Sequence, residues 1–386
     1  MVYRFFLFVL GLWSFCSCNE NTSSHSNPEV FCVSIEILDS LVLDYMGQVY
    51  LQDISPDGSR FLGYDLPMKR FIVFDDKGDL ISELTLNGEG PGKYGDYHIG
   101  KPVFLDEESF LVLSDKGHFM YDLEGRLIKH YGPDFHGGSR FIVSSGRNTV
   151  KIGGDKVVSW LQGRSNDLGF SIERQIKSRQ LEMLNLVTGE YEPIVPFPKE
   201  SIFSSNAYLF HDVHTRPILA SSKEELYVSF SSEPKVFTYS GVAFREPKSI
   251  VSLPFEVFHQ AKGVEQEMGD GAFDITDFYY GQIRSLDYIA DNRFLIGYAE
   301  GVPLDEVKSL HEQYKDDMRK FFEAIGKMNK VHLRVWDGEQ LSKDLEVPQY
   351  FGQLAKVEGE ELWYDVDFQK RENDYTVFYK VKLIHE

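Results

Sequence analysis

The chain has 386 residues, 42% hydrophobic and 26% charged, the balance of a soluble globular protein long enough to bury a large core. Forty basic residues stand against sixty acidic ones, a formal charge of −20, which speaks against the basic footprint of a nucleic-acid binder. Aromatic residues reach 14%, with 30 Phe and 21 Tyr, and this favours strands over helices.

The first fifteen residues, MVYRFFLFVLGLWSF, place Arg4 before a short apolar run. The run is too short to span a bilayer and reads as a secretory leader. Ser14-Phe15-Cys16-Ser17-Cys18-Asn19 then resembles a bacterial lipobox. Ser17 is the small residue before the cut, and Cys18 becomes the lipid-carrying N-terminus. Phe15 replaces the small or branched residue usual at its position, and its bulk directly before Cys16 disfavours that cysteine as acceptor. The alternative is an ordinary cleaved leader. The expected organisation is a signal peptide over 1–17, a polar tether over 18–34 beginning NENTSSHSNP, and a folded domain over 35–386. A chain processed in this way sits on a cell-envelope membrane through its N-terminal lipid, with the outer membrane as the expected location. Cys32 is then left without a partner for an intrachain disulfide.

Residues 35–43, IEILDSLVL, read as a strand with no partner among its near neighbours in the chain. Ser55-Pro56-Asp57-Gly58 is a turn signal that pairs 49–54 with 60–64. A hairpin comes next over 71–86, FIVFDDKGDLISELTL, with Gly78 free to take the positive φ of its turn. The same pattern recurs over 118–131, 181–195, 235–253 and 332–347, with Gly125, Gly189, Gly241 and Gly338 at the turns. The strand groups begin at 45, 104, 156, 217, 285 and 354, which makes six units. Their spacing fits four-stranded blades and predicts an all-β, six-bladed β-propeller of antiparallel sheets. Ring closure then requires 35–43 to pair with 374–384.

Two insertions interrupt the units. Residues 164–179 predict a loop or short helix. Residues 303–329 carry Val307, Leu310, Tyr314, Met318, Phe321, Phe322 and Ile325 at steps of three and four, which predicts an inserted amphipathic helix. The helix is expected to pack on its own blade, the alternative being a lid or docking element over one face of the disc.

The linker NGEGPGKYG over 87–95 has no Lys-Ser/Thr ending and so is no phosphate loop; a tight crossover between blades is expected. Its Gly-x-Gly-Pro-Gly with a following aromatic resembles a motif of six-bladed propeller lipoproteins of the Bacteroidota, and the whole chain is similar to their DUF4221 family. NHL-repeat propellers carry a related, more distant pattern, matched here by Gly88, Gly90, Gly92 and Tyr94. The resemblance implies the fold and says almost nothing of function.

Three groups of residues are candidates for a site. His211-Asp212-Val213-His214-Thr215-Arg216 offers two His three apart, without the helix and Glu of a zincin, so a polar loop at the propeller mouth is expected and no metal. Asp270, Asp274 and Asp277 form an acidic cluster that reads first as a solvated loop, with calcium or glycosidase chemistry as the alternative. The third group is a repeat, Tyr-x-Gly-Gln, in which Tyr45 and Gln48, Tyr279 and Gln282, and Tyr350 and Gln353 each precede a unit's first strand. These could ring one channel mouth and bind a sugar or peptide, or they could serve the repeat itself. No nucleophile elbow, dinucleotide fingerprint or other cofactor signature is present, so no cofactor is expected. The expected function is a binding module for a glycan, a peptide or an envelope protein. The alternative is a propeller-type hydrolase or lyase using His211, His214 and the Asp270–Asp277 carboxylates.

Overall fold

The computed structural model describes residues 30–136, 147–241, 244–265, 275–370 and 375–385. The leader, Cys18 and the tether through residue 29 lie outside them. Six antiparallel sheets succeed one another along the chain. Blade one is Val49–Ile54, Arg60–Asp65, Arg70–Asp75 and Leu80–Leu84; blade two is Val103–Phe104, Ser109–Ser114, Gly117–Asp122 and Leu127–Tyr131. Blade three is Thr149–Ile152, Lys156–Ser159, Leu181–Asn185 and Tyr191–Ile194; blade four is Pro217–Ser221, Glu225–Phe230, Lys235–Ser240 and Ser249–Ser252. Blade five has three strands, Gln282–Ala290, Arg293–Ala299 and Val331–Trp336, with a bridge from Trp336 to Leu341 at the fourth place. Blade six is Phe351–Glu358, Glu361–Val366 and Thr376–His385, completed by the N-terminal strand Val33–Leu43. The first strand of each blade touches the first strand of the next all the way round, so the ring is closed and the fold is a six-bladed β-propeller. The expected closure is present in register, from Val33 opposite His385 to Leu43 opposite Thr376.

The apolar runs of the middle strands follow from this ring. Side chains alternate between the faces of a strand, and here each face meets a different neighbouring blade. Ile72 and Phe74 pack into the core shared with blade six, beside Trp363 and Phe378. Phe71 and Val73 pack into the core shared with blade two, beside Phe110 and Tyr121. All six blade interfaces hold such a cluster. Aromatic residues fill the widening gap between blades, as in the stack of Phe74 on Phe378 at 5.3 Å. Gly78 has φ +84°, and its turn lies on the closing strand, where a Cβ would strike the Val42 carbonyl oxygen.

The face on which the inner strands begin is the upper face. It carries every α-helix among the described residues, because each lies in a connection, within a blade or between two blades, whose two ends are on that face. Helix α1 (Ile172–Lys177) sits in the predicted 164–179 insertion, α2 (Asp212–Thr215) links blades three and four, and α3 (Leu304–Gln313) and α4 (Met318–Met328) form the predicted helical insertion of blade five. That insertion is two helices. The apolar stripe continues across the break, but the chain turns at Tyr314, and Asp317 starts α4 by accepting from the Lys320 N–H. Val307, Phe321 and Ile325 are buried against Val302, Ile275 and Tyr279, so the pair packs on its own blade. The inner strands of blades three and five begin earlier than their predicted groups, at Thr149 and Gln282. Among the described residues no helix is long and apolar enough to cross a membrane.

Leu43 is fully buried at the closing seam. Leu43→Ala is expected to lower stability by about 2–5 kcal/mol, the usual range for a buried Leu. Removal of 30–43 is expected to abolish the cooperative thermal transition. A truncated chain that melts at the same temperature as the full one would show that the N-terminal strand does not hold the ring.

Candidate functional site

The inner strands bring charged side chains to the propeller axis. Four successive blades each supply a cation at the start of the inner strand: Lys101 and Arg147 two residues before it, Arg216 directly before it, and Arg284 as its third residue. Lys101, Arg147 and Arg284 line a pocket open to solvent, with Asp287 and the apolar side chains of Leu286 and Leu354. Arg216 stands close enough to Arg284 to feel its charge. Burial, and then that charge, hold the Arg216 guanidinium below its ordinary pKa.

The carboxylates of the channel are mostly occupied with backbone and with one another's partners. Asp365, 1% exposed, accepts the Leu51 N–H at 2.8 Å. Asp53 accepts the Phe104 N–H at 2.8 Å and is ion-paired with Lys356. Lys101 Nζ donates to the carbonyls of Leu354 at 3.3 Å and Ala355 at 3.0 Å, reaching from blade two to blade six. Burial brings Lys101 down to about 8; Asp365 opposes the shift and Arg147 adds to it. Burial pushes Asp365 up to about 7 against the pull of Lys101 and the Leu51 N–H. Arg147 has Asp287 Oδ1 at 4.0 Å, and its buried Nη2 has no hydrogen-bond acceptor among the described residues. Arg284 has no ion-pair partner among the described residues. Among the described residues Arg147 and Arg284 thus keep guanidinium donors that no channel carboxylate takes up, in a chain whose net charge is −20.

None of the repeat residues Tyr45, Gln48, Tyr279, Gln282, Tyr350 and Gln353 lines this pocket. Tyr45 is 8% exposed, donates to Asp65 Oδ2 at 2.6 Å and accepts from Arg70 Nε at 2.9 Å. Tyr279 packs edge-on to Phe321 of α4, and Tyr350 lies against Phe351 and Tyr379. Gln282 donates to the Phe278 carbonyl at 3.1 Å, while Gln48 and Gln353 face solvent. The shared glycine explains the repeat. A Cβ at Gly47 would strike the Tyr45 ring, at Gly281 the Phe258 ring and the Glu300 carbonyl, and at Gly352 the Val366 carbonyl. The motif lets the chain pass close to its own blade as it turns into the inner strand.

The two histidines have separate tasks. His211 Nδ1 accepts the Val213 N–H at the start of α2. His214 is 1% exposed, 3.0 Å from Ser232 Oγ, with its ring against Tyr280. Asp212 pairs with Arg174 at 3.2 Å. Asp270 and Asp274, and the side chain of Asp277, lie outside the described residues. Among those described, no three His, Cys, Asp or Glu cluster as metal ligands. A Ser–His contact exists, His118 Nε2 to Ser159 Oγ at 2.7 Å, but both residues are fully buried between blades two and three, where Tyr191 closes the other ring nitrogen at 2.8 Å. Of the predicted site residues only Arg216 belongs to the channel cluster. Lys101, Arg147 and Arg284 escaped sequence reading, and the signal that finds them is a basic residue repeated at the start of successive inner strands.

No protein-family model matches the sequence, and no curated protein matches it. Solved structures do match the fold. A DUF4221 family member from Bacteroides vulgatus aligns at TM-score 0.55 and 12% identity, over 92% of this chain and 99% of its own. A putative exported protein from Bacteroides fragilis aligns at TM-score 0.46 and 9% identity, over 91% and 95%. The PQQ-bound aldose sugar dehydrogenase of Streptomyces coelicolor aligns at 0.45 and 16%, over 91% and 98%. At these identities the likeness is one of fold alone. The chain is a six-bladed β-propeller with the fold of the DUF4221 structure, as the Gly88–Tyr94 motif led one to expect.

Proposed function

We propose that the protein is a binding module whose recognition site is the upper mouth of its channel, and whose ligand presents a carboxylate or phosphate there. The reading rests on the convergence of Lys101, Arg147 and Arg284 on one pocket, with the buried Arg147 Nη2 left to donate. A buried guanidinium donor without an acceptor is costly, and an anionic ligand supplies the missing charge-assisted hydrogen bond. An acidic glycan, an acidic peptide and an acidic segment of an envelope protein share this chemistry. Electrostatic focusing in the channel would single out the anionic group against the repulsion of an acidic surface. In the same reading Cys18 carries the lipid that holds the propeller at the outer membrane.

Titration calorimetry with an oligogalacturonate and with an acidic peptide, each beside its neutral counterpart, tests the site. One of the acidic ligands is expected to bind saturably. Arg147→Ala and Arg284→Ala are each expected to weaken it by about 2–5 kcal/mol, the cost of truncating one side of a buried charge pair. Equal binding of neutral counterparts, or variants that bind as well as the parent, would remove the channel from the reading.

The affinity should fall as pH rises. Below about 7 Asp365 is protonated and neutral, and below about 8 Lys101 is charged, so the pocket is most positive on the acid side. Between pH 6 and pH 9 the loss is expected in two steps of up to about tenfold each, one pKa unit of linkage being worth about 1.4 kcal/mol. Asp365→Asn should remove the lower step and keep the upper one. An affinity flat across this range would separate anion binding from these two groups.

Cys18→Ala is expected to move the protein from the membrane to the soluble fraction and to end incorporation of labelled fatty acid. Labelling that persists in this variant would place the lipid elsewhere.

A further inference from the structure

Blade three carries a second concavity, separate from the channel. Its middle strands, Lys156–Ser159 and Leu181–Asn185, are joined by a long crossing over 160–180 instead of a tight turn. Helix α1 stands in that crossing, with Ser171 Oγ accepting the Arg174 N–H at 3.1 Å to start it. Between α1 and the blade lies a cleft that is partly open to solvent.

The walls combine aromatic surface with fixed polar groups. Trp160, Phe170 and Phe197 line the cleft and are each partly exposed. Arg164 and Glu182 face it as a bidentate pair, Nε to Oε1 at 2.7 Å and Nη2 to Oε2 at 2.9 Å. The pair is held from outside: Arg164 also meets Asp134 at 2.9 Å and lies over the Phe135 ring at 4.5 Å. Glu182 is 3% exposed, and among the described residues its side chain accepts from Arg164 alone. A carboxylate has about four lone-pair sites, so acceptor capacity remains. The Gln162 amide and the Trp160 indole N–H, also on the lining, have no side-chain partner among the described residues.

The charge pattern differs from that of the channel. Arg164 is matched by Glu182, and Arg174 by Asp212 at 3.2 Å. The third guanidinium of the lining, Arg179, is exposed and donates to the Lys177 carbonyl at 3.2 Å, so on the inner wall the charges are paired and offer direction more than net charge. A carbohydrate matches such a wall: its C–H faces lie on aromatic rings, and its neighbouring hydroxyls donate to a carboxylate while accepting from amide, indole and guanidinium donors. An anionic ligand gains little on the inner wall, since Arg164 and Arg174 there already face carboxylates.

We propose that the blade-three cleft is a binding site for a neutral saccharide, with Glu182 and Arg164 as the hydroxyl-binding pair and Trp160 and Phe170 as the stacking surface. The site stands independently of the anion site in the channel. Neutral oligosaccharides of two to six hexose or pentose units serve as the probe, measured by thermal shift and calorimetry on the full chain. At least one is expected to bind saturably. Phe170→Ala and Gln162→Ala, both on the crossing and outside the sheets, should weaken it tenfold or more while leaving the ligand-free melting temperature unchanged. Arg147→Ala and Arg284→Ala should leave saccharide binding intact, so failure of the channel reading would not imitate failure here. The proposal is overturned by the absence of binding at millimolar saccharide, by binding that the cleft variants do not change, or by binding that the channel variants abolish. Glu182→Gln, if it folds, should also weaken binding; an unfolded variant leaves the decision with Phe170→Ala and Gln162→Ala.

Discussion

Every middle strand of this protein has two apolar faces, and each face has only the next blade to cover it. Tyr227 turns to blade five while Leu226 and Val228 turn to blade three. A sheet of this kind cannot stop at an edge blade without exposing a full face of Phe, Leu and Val to water, which makes closure a thermodynamic requirement. The N-terminal strand meets it by joining the last blade, where Leu41 and Leu43 enter the core shared with blade one. The hairpin turns obey the same rule, since the Gly78 turn must fit against that closing strand with no room for a side chain.

At the centre the constraint is reversed. Inner strands have a hydrogen-bonded partner on one side only, and the other edge faces the axis with backbone groups to satisfy. Carboxylates and a lysine from other blades satisfy them: Asp365 for the Leu51 N–H, Asp53 for the Phe104 N–H, and Lys101, reaching past blade one, for two carbonyls of blade six. Each bond crosses a blade boundary, so the polar axis ties together what the apolar interfaces press together. Once the acidic groups are occupied in this way, the guanidinium groups of Arg147 and Arg284 are what the described residues leave with donors to offer.

The middle strands were legible in the sequence because two-sided burial writes itself as continuous apolar runs with a glycine turn between them. The closing strand was legible for a related reason: a strand-like run without a local partner needs a distant one. Shorter inner strands such as Thr149–Ile152 were missed, since four residues with a lysine among them carry little apolar pattern. The Tyr-x-Gly-Gln repeat was visible as a repeat, but its purpose depends on how near Gly352 comes to the Val366 carbonyl, and no local pattern encodes that distance. The channel cations were hidden for a different reason. They are single residues on separate blades, and only alignment of the inner-strand starts brings Lys101, Arg147, Arg216 and Arg284 to one level.

The direction of the closing strand fixes the face by which the chain enters the ring. Val33 lies opposite His385, and His385 meets Glu360, in the turn after blade six's inner strand, at 3.2 Å and Arg293, which opens the strand after blade five's inner strand, at 3.2 Å. The N-terminal strand therefore enters the ring from the underside, while the blade-three cleft and the paired helices α3 and α4 stand on the opposite face, where the inner strands begin. One strand thus both seals the ring and sets its two faces apart.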